Sequence, residues 1–140
     1  MIDTPQNDTY QLGRMRATPF PSRLLEVCFG LPETQARIVL FVVRKTLGWY
    51  GGSAGLRKAS TYATIVQLRH HVGRQSNVPV IEALDVLVER SILELSDRSG
   101  VPVLSASLRY RHGALCLRIN RSFVEEVVGD NSGETRWRPR

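Results

Sequence analysis

The spacing of apolar positions changes part-way along this chain, and the change divides it into two kinds of structure. From Leu24 to Leu87, apolar residues recur three and four positions apart, which is typical of helices that bury one face. After Ile92 they recur at every second position, which is typical of strands. The pattern therefore predicts an α+β domain that is mainly α.

Two helices are predicted in the first fifty residues. Leu24–Phe29 suits a short helix, and Pro32 fits the first turn of the next, where a missing N–H costs nothing. That second helix is apolar nearly all round from Ile38 to Val43, which predicts the central core helix. Gly48 is expected to end it as a left-handed cap, with the Trp49–Tyr50 pair folded back over the core.

Two further helices joined by a tight turn form a helix-turn-helix pattern. Thr64 is the expected N-cap of the first helix, which Gly73 ends. The second helix has Pro79 in its first turn, and Ser76 or Asn77 is expected to cap it. Its buried stripe is predicted at Val80, Leu84, Leu87 and Val88.

A β-hairpin and a short helix are predicted next. Ile92–Leu95 suits one strand, and the stretch "VLSASLRYRHGALCLRIN" alternates about a two-residue turn at His112-Gly113. This register gives an apolar face of Ala106, Leu108, Tyr110, Leu115, Leu117 and Ile119. The opposite face carries Ser107, Arg109, Arg111, Cys116 and Arg118. Ser122–Val128 follows as a helix, with Ser122 and Glu125 spaced as a capping box.

The three helices and the hairpin together describe a winged helix-turn-helix: a three-helix core with a β-hairpin wing. We expect the domain to span residues 18–128, after a flexible arm at residues 1–17 and before a disordered basic tail at residues 129–140. No signal-peptide core or membrane-spanning run is expected, because the longest apolar run is Ile38–Val43. Two distant cysteines suggest a reducing compartment, so a cytoplasmic protein without membrane contact is expected.

Charge points to a polyanionic partner. The net charge is +6, and arginine accounts for 17 of the 19 basic residues. The planar arginine fork can hold two phosphate oxygens at once, which favours nucleic acid over an ordinary surplus of surface charge. Five arginines and no acidic residue occur from Arg98 through Arg121, so the positive charge of the chain is concentrated in the predicted wing.

The candidate DNA-binding residues form three groups. The helix-turn-helix group lies at the start and on the outer face of the third core helix: Arg74, Gln75, Ser76, Asn77, Ile81 and Glu82. The wing group is Arg98, Arg109, Arg111, His112 and Arg118, and the loop after the core helix adds Arg57 and Lys58. Asparagine can read adenine, glutamate can accept from cytosine, and a helix N-terminus suits a phosphate.

No enzyme, cofactor or metal site is expected. The sequence has no nucleophile elbow and no phosphate-binding loop, so no catalytic residue is assigned. His70 and His71 are adjacent on a predicted helix and face different ways, which suits a metal poorly.

The phrases "TPFPSRLL", "ETQARIVLFVVRKTLGWYGG", "TIVQLRHHVG" and "ALDVLVERSIL" occur in this order, and the order resembles the N-terminal domain of phage replication protein O and related phage replisome organisers. The resemblance covers roughly residues 18–119. It implies binding to double-stranded DNA at a replication origin, often as a dimer, and recruitment of the replicative helicase or its loader through a separate region. This chain departs from the family pattern in the loop "GGSAGLRKASTYA" and in the turn before the third helix. The family usually has more serine and arginine in that turn, whereas "GRQSNVPVIEAL" is apolar and acidic beyond Arg74. Residues 129–140 offer little length for helicase recruitment.

The sequence is also compatible with two other functions. A winged-helix transcriptional regulator would share the fold and act at a promoter. A protein-interaction module would instead use the third helix, where Glu82, Asp85 and Glu89 outnumber Arg90.

Overall fold

The computed structural model describes residues 17–49, 57–103 and 113–128. Within these ranges the elements are α1 (Ser22–Phe29), α2 (Glu33–Thr46), β1 (Thr61–Ala63), α3 (Ile65–Val72), α4 (Val78–Glu89), β2 (Leu93–Ser96), β3 (Leu115–Ile119) and α5 (Arg121–Val128). The α+β class with a mainly helical chain is confirmed. The expected arm, apart from Ala17, and the expected tail at residues 129–140 lie outside the described residues.

Helix α2 is the centre of the core, as its composition predicted. Ile38, Val39 and Val42 are completely buried, and α2 contacts α1, α3, α4, β1 and β3. Pro32 precedes the helix as its N-cap residue rather than lying in its first turn, and Glu33 begins it. The carboxylate of Glu33 complements the positive end of the helix dipole, and Arg44 and Lys45 complement the other end.

Helix α3 begins and ends as the sequence predicted. The Thr64 hydroxyl accepts from the Gln67 N–H at 3.0 Å, and the Gln67 side-chain oxygen accepts from the Thr64 N–H at 2.9 Å. This reciprocal pair is a capping box that satisfies two backbone donors. Gly73 ends the helix in the left-handed conformation, with φ at 72°.

Helix α4 buries the predicted stripe and lacks the predicted cap. Val80, Leu84 and Leu87 are completely buried, Val88 is half-buried against the core, and Pro79 lies in the first turn. Asn77 occupies the N-cap position in a helical backbone conformation, and its side chain makes no capping hydrogen bond. A side-chain cap requires an extended backbone at that position, so the capping prediction is wrong.

A small antiparallel sheet closes one side of the core. The strand order is β1-β3-β2, with Leu117 paired to Thr61 on one side and to Leu95 on the other. Leu115, Leu117 and Ile119 are buried while Cys116 and Arg118 are half-buried, so the predicted alternation is confirmed for β3. At Cys116 and Leu117 both edges of β3 are occupied, by β1 and by β2, so the predicted hairpin register, which would pair them with the strand before His112-Gly113, is wrong there. Residues 104–112 lie outside the described residues. Strand β1 was not predicted.

The capping residue of the terminal helix α5 is Asn120, two positions before the predicted Ser122. Asn120 Oδ1 accepts from the Ser122 N–H at 3.0 Å and from the Ser122 hydroxyl at 2.9 Å. The helix therefore begins at Arg121 with Asn120 as its capping side chain, and the predicted Ser122–Glu125 capping box is wrong. Glu125 instead lies 3.5 Å from Arg121 in an i,i+4 ion pair.

Gly48 is required for space and not for a left-handed turn. Its φ is not positive, and Leu47 is the C-cap residue of α2 in a right-handed conformation, so the predicted left-handed cap is wrong. A Cβ at Gly48 would lie 2.5 Å from the Arg44 carbonyl oxygen and 2.6 Å from the Thr18 hydroxyl. Only a residue without a Cβ fits between these atoms.

Gly48→Ala should therefore destabilise the protein by about 1–3 kcal/mol, the usual cost of forcing atoms into an occupied space. Urea unfolding of the two proteins would measure the difference. Gly113→Ala is not a suitable control because Gly113 has a positive φ, whereas Gly30 has a negative φ and room for a Cβ. Gly30→Ala should cost less, and an equal cost at both positions would contradict the steric explanation.

A carboxylate helps to join the two ends of the described domain, beside the contact of the Arg23 side chain with the Phe123 ring. Glu126 on α5 accepts from the Arg23 N–H at 3.2 Å and from the Ser22 N–H at 2.8 Å, both in the first turn of α1. These backbone donors at Arg23 and Ser22 lower the pKa of Glu126 below its ordinary value.

A group with a depressed pKa stabilises the fold above its unfolded pKa, and the contribution is lost as pH falls through the folded value. Glu126→Gln should therefore destabilise the protein at neutral pH more than in acid below both values. Thermal melts of the two proteins across that pH range would test this. A difference in melting temperature that does not change with pH would contradict it.

Candidate nucleic-acid interface

The start of α4 presents fewer side chains to solvent than the sequence predicted. Gln75, Ser76 and Glu82 are exposed, as expected for residues that contact a ligand. Ile81 is half-buried and packs against the core, and Asn77 is also half-buried. The Asn77 side-chain oxygen is buried and has no hydrogen-bond partner among the described residues. The expectation that Asn77 and Ile81 are exposed positions is therefore wrong.

Arg74 is tied to the start of α2. Its Nε donates to the Thr34 hydroxyl at 2.8 Å, and a terminal nitrogen donates to a Glu33 carboxylate oxygen at 3.1 Å. The side chain is about one-third exposed, so part of the guanidinium still faces solvent. These contacts hold the turn before α4 against the core helix, and Glu33 offsets part of the charge that Arg74 could offer a phosphate.

The acids of α4 differ in exposure, and the expectation that Asp85 is an exposed position is wrong. Glu82 and Glu89 are exposed, Asp85 is half-buried, and Arg90 at the end of the helix is exposed. The exposed residues of α4 therefore combine acids with one apolar side chain, Val78, at its start. Such a surface favours phosphate contact only at its N-terminal end, where the helix dipole is positive.

The predicted wing is described at its two ends. Arg98 is exposed in a tight turn after β2, which Asp97 stabilises by accepting from the Ser99 N–H at 2.8 Å and the Val101 N–H at 3.0 Å. At the other end, Arg118 donates to Glu94 at 3.0 Å, directly across the strand pair. Glu94 therefore neutralises part of the positive charge that was predicted for the wing. Arg109, Arg111 and His112 lie outside the described residues.

The two loop candidates differ in role. Arg57 donates to the Leu47 carbonyl at 2.9 Å and to the Ala17 carbonyl at 3.3 Å, so it satisfies a carbonyl at the end of α2. Lys58 is exposed and lies 5.4 Å above the Trp49 ring in a cation–π contact. Trp49 is 44% exposed, so the prediction that it covers the core is wrong. Tyr50 lies outside the described residues.

A cationic groove that was not predicted from the sequence runs between α2 and the β1–α3 segment. Its volume is about 820 Å³, and its lining combines cations with aromatic rings: Arg37, Phe41, Arg44, Lys45, Trp49, Lys58, Tyr62 and His71. No acidic side chain is among its described lining residues. The residues come from two separate stretches, 37–49 and 58–71, which only the fold brings together.

A second groove, of about 590 Å³, lies beside the β2–β3 pair. Its charged lining residues are Glu94, Asp97, Arg98 and Arg118, so acids and arginines are present in equal number. The mixed charge makes this groove a weaker attractor for a polyanion than the cationic groove.

In the comparisons, no family model, curated protein or solved structure matched this chain.

Residues 17–49, 57–103 and 113–128 contain no group of three or more His, Cys, Asp or Glu side chains that could hold a metal ion. The cysteines Cys28 and Cys116 are free and half-buried, and burial raises the pKa of the Cys28 thiol. In the same part of the chain, none of the helices combines the length and apolar character that a bilayer crossing requires.

Proposed function

We propose that residues 18–128 form a winged-helix domain that binds double-stranded DNA. The observation that carries the proposal is the order of its elements. Helix α2 is followed by β1, then by the α3–α4 pair, then by the antiparallel β2 and β3, with β3 between the other two strands. This is the arrangement in which a helix-turn-helix is buttressed by a sheet whose last two strands carry a wing.

The start of α4 would approach the DNA first. Gln75 and Ser76 are exposed beside the positive end of the helix dipole, and both can donate to phosphate oxygens. Glu82 follows on an exposed position and can accept from a cytosine amino group. Arg74, held by Glu33 and Thr34, would fix the orientation of this turn.

The wing would contact the phosphate backbone of the DNA beside the site that α4 binds. Residues 97–114 connect the adjacent antiparallel strands β2 and β3, and they contain Arg98, Arg109, Arg111 and His112. Several cationic side chains in one connection release several counterions on binding, which is a large part of the affinity of most DNA-binding domains.

The biological setting we propose is replication initiation of the phage type, in the cytoplasm. It rests on the sequence resemblance to phage replication protein O, and it would make origin DNA, a second copy of the chain and a helicase or its loader the partners. A transcriptional regulator of the same fold would use the same DNA-binding residues at a promoter.

Fluorescence anisotropy of the purified full chain tests DNA binding. The DNA from upstream of its own gene would be compared with random duplex of equal length over a salt series. We expect tighter, salt-sensitive binding to the native DNA. Weak and equal binding to both, lost near physiological salt, would contradict sequence-specific recognition.

A protein-interaction module is the second candidate, and the exposed acids of α4 favour it. Glu82 and Glu89, together with the exposed Val78, form a surface that a basic and apolar partner could cover. Under this alternative any duplex binding would show little dependence on salt or on the wing arginines.

A further inference from the structure

We propose that the cationic groove between α2 and the β1–α3 segment binds single-stranded nucleic acid. Most of this surface lies apart from the proposed duplex site, because no described residue of α4, β2 or β3 lines it. It shares Lys58 with the loop group of duplex candidates, and Tyr62 also lines the second groove beside β2 and β3. The proposal therefore does not depend on the proposed duplex function, and each can fail without the other.

Exposed aromatic rings are the first observation. Tyr62 is 53% exposed and Trp49 is 44% exposed, and both line the groove. Flat rings left open to solvent can stack on unpaired bases, whatever the base sequence. A duplex keeps its bases stacked inside and cannot offer their faces in this way.

Cations placed beside the rings are the second observation. Lys58 lies 5.4 Å from the centre of the Trp49 ring, and Lys45 lies 5.9 Å from the centre of the Phe41 ring. Phe41 is in turn packed against His71, with ring centres 4.5 Å apart. Charges held next to stacking surfaces match a polymer in which each base is attached to a phosphate.

Charge balance within the groove is the third observation. Arg44, Lys45 and Lys58 form no salt bridge with any described residue, whereas Arg37 pairs with Glu33 and donates to the Val72 carbonyl at 2.9 Å. No described acid therefore neutralises these three cations. Arg44 also donates to the Gly48 carbonyl at 3.4 Å, and Arg37 helps to hold the groove wall. An acidic peptide would satisfy the charges but would leave the exposed rings without a stacking partner.

The chain provides its own optical probe for the test. It contains two tryptophans, so Trp137→Phe leaves Trp49 as the sole tryptophan in the full-length protein. Titration with an oligothymidylate of about twelve nucleotides, within the usual size of a single-strand site, should quench Trp49 fluorescence to saturation. The same titration with oligouridylate distinguishes a general single-strand site from one restricted to DNA.

In the Trp137→Phe background, Tyr62→Ala should weaken single-strand binding at least fivefold, about the least that one stacked base contributes. Tyr62→Phe should restore binding, because it keeps the ring. Phe29→Ala is the matched control, since Phe29 is 76% exposed on α1 and does not line the groove. Duplex affinity should stay within about twofold in all three.

The salt dependence gives a second readout. Replacing Lys45 and Lys58 together with Ala should lower the slope of log K against log salt by about 1.4, from about 0.7 for each phosphate contact to a single strand. The exposed Arg90 lies outside the groove, and Arg90→Ala should leave the slope unchanged.

Absence of saturable quenching, or an equal loss of single-strand and duplex binding in Tyr62→Ala, would overturn the proposal. Single-strand binding that persists in a protein with no duplex binding would support it and would contradict the proposed duplex function.

Discussion

Replacing Arg109 and Arg111 with Ala together should weaken duplex binding roughly thirtyfold near 0.15 M salt. Each phosphate contact contributes about 0.9 to the slope of log K against log salt, so the double variant should also flatten that slope by about 1.8. The loss should be similar on native and random DNA, because backbone contacts carry little sequence information. Anisotropy titrations over a salt series would measure both quantities.

A control with the same change in net charge separates wing contacts from general attraction. Arg23 and Arg90 are exposed on α1 and at the end of α4, away from both the wing and the start of α4. Replacing these two with Ala should leave the salt slope nearly unchanged. If the control lost as much affinity as the wing variant, the wing assignment would be wrong.

Leu84→Ala should destabilise the fold by about 2.7–5 kcal/mol. Leu84 is completely buried on α4, and alanine is a good helix former, so the loss comes from the cavity and the lost apolar contacts. For a domain of this size a loss in that range shifts the melting temperature by about 10 °C or more. Thermal unfolding followed by circular dichroism would measure it.

Leu25→Ala is the matched control, because Leu25 lies on a helix and is 39% exposed. It should cost far less than Leu84→Ala. Nearly equal costs would mean that α4 is not packed against the core as described.

The elements that the sequence predicted well are those that local pattern determines. The apolar run of α2, the Thr64 cap with Gly73 at the end of α3, and the buried stripe of α4 each lie within a single stretch of chain. In such a helix the spacing of the apolar residues is enough to predict which face is buried. Strand β1 was missed because it has three residues and pairs with a strand more than fifty positions later.

The wrong predictions for the cap of α5 and for Gly48 have a common cause. In both cases the local sequence allows two structures equally well, and contacts outside the local sequence select one of them. Asn120 and Ser122 are both good capping residues, and only the position at which β3 ends selects Asn120. Gly48 suits a left-handed cap, but the close approach of the Arg44 carbonyl, and of the Thr18 hydroxyl from a distant segment, requires a residue without a Cβ. Sequence spacing carries no record of such distant neighbours.

The candidate sites show the same limit. The exposure of Gln75 and Ser76 agrees with prediction, but the pairing of Arg118 with Glu94 depends on strand register. The cationic groove joins residues of α2 with Tyr62 and His71, which the sequence separates by a loop. The number of charged residues is known from the sequence. Which of them lie beside an acid that neutralises them depends on the fold and could not be predicted.

The central position of β3 has a consequence for how the chain acquires its structure. Among the described strands, β1 and β2 each pair with β3 and not with each other, yet β3 is the last of the three in sequence. During synthesis, therefore, β1 lacks its partner, and β2 has only its short pairing with residues 101–103, until residues 115–119 have left the ribosome. The helices can form and collapse before then, but the sheet and the final enclosure of the core are delayed to the end of translation of this domain.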